Sequence, residues 1–145
     1  MTIGIVVLSH GTYARHLVRA AELIAGKQKL LLTGGLEPHM GLPDFAQLVE
    51  QCCQKLHPKS DGILVLVDLQ GGTPFNAANL LLRKFNARLV CGVNMPMLLE
   101  VLMCRGTQSL EELAAAAVKA GKEGVREFSL HPSLARQEHD GNAPG

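Results

Sequence analysis

Three short stretches of this 145-residue chain hold the residues able to do chemistry. They are Ser9-His10-Gly11-Thr12, Asp68-Leu69-Gln70-Gly71-Gly72-Thr73-Pro74 and Asn94-Met95-Pro96. A carboxylate such as Asp68 accepts a hydrogen bond from one imidazole nitrogen. That fixes the tautomer and leaves the other nitrogen of His10 free as a nucleophile. Gly71 and Gly72 let the backbone approach closely, and a helix opening at Pro74 offers unpaired amides and a positive dipole end. Thr73 adds a hydroxyl and is the expected N-cap, with Pro74 in the first turn. A histidine nucleophile beside an anion cradle points to phosphoryl transfer, which depends mainly on positioning and charge stabilisation. Each half also has a plain reading. A histidine at a strand end is commonly a structural hydrogen-bonder, and Gly-Gly-Thr-Pro is a turn with a helix cap. Their coincidence at matching strand ends is what favours chemistry. There is no Gly-rich loop ending in Lys-Ser/Thr, so nucleotide hydrolysis has no support.

These loops need strands behind them. Ile3–Leu8 is short, continuous and rich in β-branched residues, as in a strand buried on both faces. Lys29–Thr33, Gly62–Val67 and Arg88–Val93 read as three more strands. Between them the apolar residues recur at helical spacing: Tyr13, Leu17, Ala20, Ala21 and Ile24, then Phe45, Leu48, Val49, Cys52 and Leu56. Pro43 suits the first position of the second helix, and Gly34–Leu42 reads as the loop before it. Further helices run from Pro74 to about Lys84 and from Pro96 to about Met103. Ser109-Leu110-Glu111-Glu112 is a capping box opening an alanine-rich helix to about Gly121. Val125–Leu130 reads as a short fifth strand, with Phe128 and Leu130 alternating with Glu127 and Ser129. Strands alternating with helices predict an α/β fold: a three-layer, mostly parallel open sheet with helices on both faces. Ligands of such sheets sit beyond the carboxyl ends of the strands, where strand order reverses. If the first and third strands are neighbours, His10 and Asp68 face each other there.

Composition narrows the function. Hydrophobic residues are 47% and charged residues 19%, which excludes disorder for the bulk of the chain. The length suits one domain, expected over 1–130, with a flexible polar tail over 131–145. No apolar run reaches the ~18 residues of a membrane span, and no basic region precedes the first apolar stretch as in a signal peptide. Residues 1–72 carry six charges of each sign, and 73–145 carry eight basic and seven acidic. Without a basic excess, and with only four Phe, one Tyr and no Trp, nucleic acid is not an expected partner. Cys52, Cys53, Cys91 and Cys104 form no C-x-x-C pair and lie in apolar segments, so they read as small buried hydrophobes in a reducing compartment. His39 lies in the loop after the second strand and is a candidate secondary participant. His16, His57, His131 and His139 form no cluster with metal-ligand spacing, and no metal or cofactor is expected.

Four blocks, in order, resemble the enzyme IIA component of the mannose-family bacterial sugar phosphotransferase system. They are Gly4–Gly11, Leu66–Ala78, Gly92–Glu100 and Ala120–Val125, and the resemblance covers roughly residues 3–130. It implies a flavodoxin-like cytoplasmic phosphocarrier. His10 would take a phosphoryl group from phospho-HPr and pass it to enzyme IIB, which serves membrane IIC and IID components. Asp68 would orient His10, and Gly11, Gly71, Gly72 and Thr73 would hold the phosphoryl group. The resemblance also implies a homodimer with an exchanged C-terminal strand. No IIB-like segment follows, so IIB is expected as a separate chain. The chain departs from the family's pattern at Gly34–Leu42, where an Asp-Phe start is usual after the second strand. Two other classes share features with it. One is a regulatory module of the same fold that is phosphorylated to signal, as in control of dihydroxyacetone kinase. The other is a small cobalamin or sirohaem chelatase, which also opens with a strand ending in His-Gly but has no use for the Gly71–Pro74 loop. A histidine phosphatase would need Arg where Ser9 stands.

Overall fold

The computed structural model describes residues 2–130. Four parallel strands, β1 (Gly4–His10), β2 (Leu31–Leu36), β3 (Ile63–Val67) and β4 (Ala87–Cys91), form one sheet in the order β2-β1-β3-β4. Five α-helices connect or follow them: α1 (Tyr13–Ala25), α2 (Leu42–Leu56), α3 (Gly72–Leu81), α4 (Met95–Cys104) and α5 (Leu110–Glu123). This is the doubly wound α/β order in which the chain reverses direction across the sheet between β1 and β3.

The two faces of the sheet carry separate cores. Ile5 and Val7 of β1, with Leu64 and Leu66 of β3, pack against α1, α4 and α5 through Ala14, Val18, Leu98, Val101 and Leu113. The alternate residues, Val6 and Leu8 with Ile63, Val65 and Val67, pack against α2 and α3 through Phe45, Val49, Cys53, Ala77 and Leu81. Successive strand residues point to opposite faces, so a strand covered on both sides is apolar throughout. That is the pattern of β3, buried at all five positions.

Three boundaries differ from the sequence expectation. Strand β2 runs on to Leu36, through Gly34 and Gly35, which were expected to open a loop. Parallel pairing with β1 continues to His10↔Leu36, and this ladder outweighs the low strand propensity of glycine. Helix α3 starts at Gly72 with Gly71 as its N-cap, so Thr73 is inside the first turn and caps nothing. Gly71 and Gly72 have φ of 86° and 79°, a left-handed entry that excludes a side chain there and moves the helix start upstream. Among the described residues Val125–Leu130 pairs with no strand, so the expected fifth strand is not formed there, and Val125, Phe128 and Leu130 are exposed. The expected tail, 131–145, lies outside the described residues. The box at Ser109 is present as expected, with Ser109 Oγ accepting from Glu112 N–H and Glu112 accepting from Ser109 N–H. Among the described residues no helix is long and apolar enough to cross a membrane.

Candidate functional site

His10 is the last residue of β1 and Asp68 the first beyond β3, so adjacency of these strands brings together residues 58 positions apart. The Asp68 N–H donates to the Leu8 carbonyl at 3.1 Å, which extends the β1–β3 pairing by one step and aims the carboxylate at His10. Asp68 Oδ2 accepts from the backbone N–H of His10 at 3.0 Å and lies 2.8 Å from His10 Nδ1. Oδ1 accepts from the Leu69 N–H at 3.0 Å. A carboxylate has no proton to give, so Nδ1 carries the proton and Nε2 keeps its lone pair. The Asp68 side chain is largely covered while that of His10 is half exposed. The imidazole is thereby held from behind and open in front.

Nε2 faces the start of α3. A Cβ on Gly72 would lie 3.4 Å from His10 Nε2 and 3.3 Å from Cε1, so the imidazole rests against the first residue of that helix. The amides of the first helical turn have no intrahelical acceptor and carry the positive end of the helix dipole. Pro74, also in that turn, has no N–H to contribute. The expected cradle therefore has Gly72 against the ring, with Gly71 and Thr73 on either side of it in the chain. Gly11 follows His10 in the chain, and its N–H donates to the Leu36 carbonyl at 2.9 Å, so that amide is already engaged. Tyr13 Oη donates to the Val93 carbonyl at 2.9 Å, tying the first turn of α1 to the loop after β4.

His39 is exposed in the loop after β2 and makes no hydrogen bond to His10 or Asp68. Among the described residues no three His, Cys, Asp or Glu side chains gather as a metal site requires. All four cysteines are free thiols. Burial pushes the Cys52, Cys53 and Cys91 thiols up, Cys53 to about 11, so they stay protonated at neutral pH and are poor nucleophiles. Gly35 was not singled out in the sequence. A Cβ there would overlap the Gly11 carbonyl oxygen, so a bare backbone at this place lets the His10–Gly11 turn close onto β2. The only signal for it was the Gly-Gly pair itself, which reads equally well as a loop.

The family model of the PTS system fructose IIA component, EIIA-man, matches residues 4–118. The chain belongs to this family. It is 37% identical over 142 residues to the mannose-specific EIIAB component of Escherichia coli K12. That alignment covers 91% of this chain but 41% of the relative, so the chain spans less than half the length of that protein. The sorbose-specific EIIA component of Lacticaseibacillus casei is 31% identical, with 94% of this chain and 98% of the relative covered. Among solved structures, the mannose/sorbose-specific IIA subunit from Enterococcus faecalis superimposes with a TM-score of 0.79 at 25% identity, covering 90% of this chain and 98% of that one. Membership makes the chain a IIA-type component of this family, and the solved IIA structures share its fold.

Proposed function

We propose that this chain carries a phosphoryl group on Nε2 of His10, taking it from phospho-HPr and passing it to enzyme IIB for sugar uptake through membrane IIC and IID. The observation that carries this reading is the single carboxylate oxygen of Asp68 meeting both the backbone N–H and Nδ1 of His10. The Nε2 lone pair attacks phosphorus while the bond from phosphorus to the donor breaks and its electrons return to the donor. Nδ1 keeps its proton on Asp68 throughout, so the carboxylate opposes the positive charge that forms on the ring. The charge of the phosphoryl oxygens falls at the start of α3, where Gly71, Gly72 and Thr73 offer amides and a hydroxyl, with Gly11 next to His10 in the chain. No proton has to cross the reacting nitrogen, so the same geometry runs forward to IIB and back to HPr. On this reading the transfer runs in the cytoplasm.

The reading includes a homodimer. Strand β4 is an edge, and beside it lies a groove of about 810 Å³ lined by Phe75, Leu89 and Val118. The exposed Val125, Phe128 and Leu130 of a second copy supply an apolar strand for that edge, which would otherwise present unpaired backbone groups.

The test uses phosphoenolpyruvate, enzyme I and HPr, with intact mass as the readout. The wild-type chain should gain one acid-labile phosphoryl group. His10→Ala should gain none, and His39→Ala should label as the wild type does. Labelling that survives in His10→Ala would overturn the assignment.

A further inference from the structure

The geometry points to Ser9 as the positioning residue of the phosphoacceptor: its buried hydroxyl fixes the His10 backbone so that the ring meets Asp68 and Nε2 faces α3. This rests on the reading of His10 as the acceptor. Ser9 is completely buried, and with Arg105 it is one of two polar or charged residues in the core among the described residues. Its hydroxyl donates to the His10 carbonyl at 3.0 Å and accepts from the Ala14 N–H at 2.8 Å.

Ser9 does the work of a helix cap from an unusual place. Thr12, the N-cap of α1, makes no side-chain capping bond. The amide of Ala14, in the first turn, is satisfied by a hydroxyl five residues upstream. A cap alone would need only that bond. The second bond reaches back to the carbonyl of His10 and ties the acceptor to the start of α1.

The result is a residue held at every backbone polar group. Asp68 Oδ2 takes the His10 N–H, Ser9 takes its carbonyl, and the next amide, of Gly11, is taken by Leu36. This matters because one oxygen, Asp68 Oδ2, serves both the N–H and Nδ1 of His10. Nδ1 reaches it only while the dihedral angles at His10 keep the ring and the amide on the same side. Without the Ser9 hydroxyl the peptide after His10 is held only by the Gly11–Leu36 bond, and the ring drifts from Oδ2. The proton is then no longer confined to Nδ1, and Nε2 loses part of its lone-pair population. The buried Ala14 amide is orphaned as well.

The experiment combines nitrogen-15 histidine NMR of the full, unphosphorylated chain with kinetics from phospho-HPr, on wild type, Ser9→Ala and Ser9→Thr. Wild type should show one His10 tautomer, with the proton on Nδ1. Ser9→Ala should show mixed tautomers, with kcat down about tenfold or more and KM for phospho-HPr held within about twofold. Ser9→Thr keeps the hydroxyl and should restore both. A folded Ser9→Ala with the wild-type tautomer and kcat would overturn the proposal and leave Ser9 as a helix cap only. If Ser9→Ala does not fold, Ser9→Cys decides: its thiol fills the same place as a weak donor, so mixed tautomers and a lowered kcat are expected, and the wild-type tautomer and kcat would overturn the proposal. A wild-type chain that HPr fails to phosphorylate would sink the reading of His10, while the tautomer results would still judge Ser9 separately.

Discussion

Gly34 and Gly35 allow the same substitution at adjacent positions with opposite consequences. At Gly34 an added Cβ would meet Leu48 Cδ2 at 2.6 Å and Leu8 Cδ2 at 2.8 Å. These are ends of flexible side chains in the core on the α2 side, and they can rotate away. At Gly35 the obstacle is the carbonyl oxygen of Gly11, which is backbone and cannot rotate away by itself. Restoring ordinary van der Waals distance requires the His10–Gly11 turn to move by about 1 Å from β2. The Gly11–Leu36 hydrogen bond, 2.9 Å long, stretches with it. Both variants should lose roughly 1–3 kcal/mol of stability through overpacking. Only Gly35→Ala should also displace the acceptor, and a shift of that size costs about 10²-fold in transfer, or about 2.7 kcal/mol of barrier. Single-turnover phosphorylation by phospho-HPr reads the rate, and urea unfolding reads the stability. Gly34→Ala should transfer within about twofold of wild type. Equal slowing in both variants, or a Gly35→Ala chain that transfers at the wild-type rate, would refute the reasoning.

Asp68→Asn keeps a hydrogen-bond acceptor at Nδ1 but removes the charge opposing a cationic ring. The loss is on the order of 1 kcal/mol, about fivefold in rate, and unchanged transfer both from HPr and to IIB would remove Asp68 from the mechanism. Deleting residues 126–145 should weaken the dimer and expose the β4 groove, whereas deleting 133–145 removes only one large apolar residue, Leu134, and should change little. Sedimentation of the two truncations measures this, and a full-length chain that is monomeric at micromolar concentration counts against strand exchange. At the start of α5 the backbone and side-chain hydrogen bonds with Ser109 hold the Glu112 carboxyl below the usual range. A value lower in the folded than in the unfolded chain stabilises fully above the unfolded value and is lost as pH falls through the folded one. Ser109→Ala should lower Tm by roughly 2–4 °C at neutral pH, with a smaller difference from wild type in acid.

The order of the first four strands and of the five helices was legible because each is a local pattern, whereas the fifth strand expected at Val125–Leu130 is not formed among the described residues. The apolar run at Ile63–Val67, the helical spacing in α2 and the Ser109 capping box depend on residues within a few positions of one another. His10 and Asp68 were legible as a pair only through the rule that parallel strands present their carboxyl ends on one side, given that the first and third strands are neighbours. Other features needed the folded chain. Strand β2 reaches Leu36 because β1 lies beside it, and no composition of Thr-Gly-Gly-Leu announces that pairing. The start of α3 at Gly72 follows from two left-handed glycines. The choice of Nε2 over Nδ1 as the free nitrogen depends on which ring atom stands 2.8 Å from Asp68, across 58 residues of chain. Sequence periodicity determines which face of an element is buried, because burial repeats with the backbone. The tertiary structure alone decides contacts at hydrogen-bond range, because those turn on strand register, where a shift of one residue carries a side chain to the other face of the sheet.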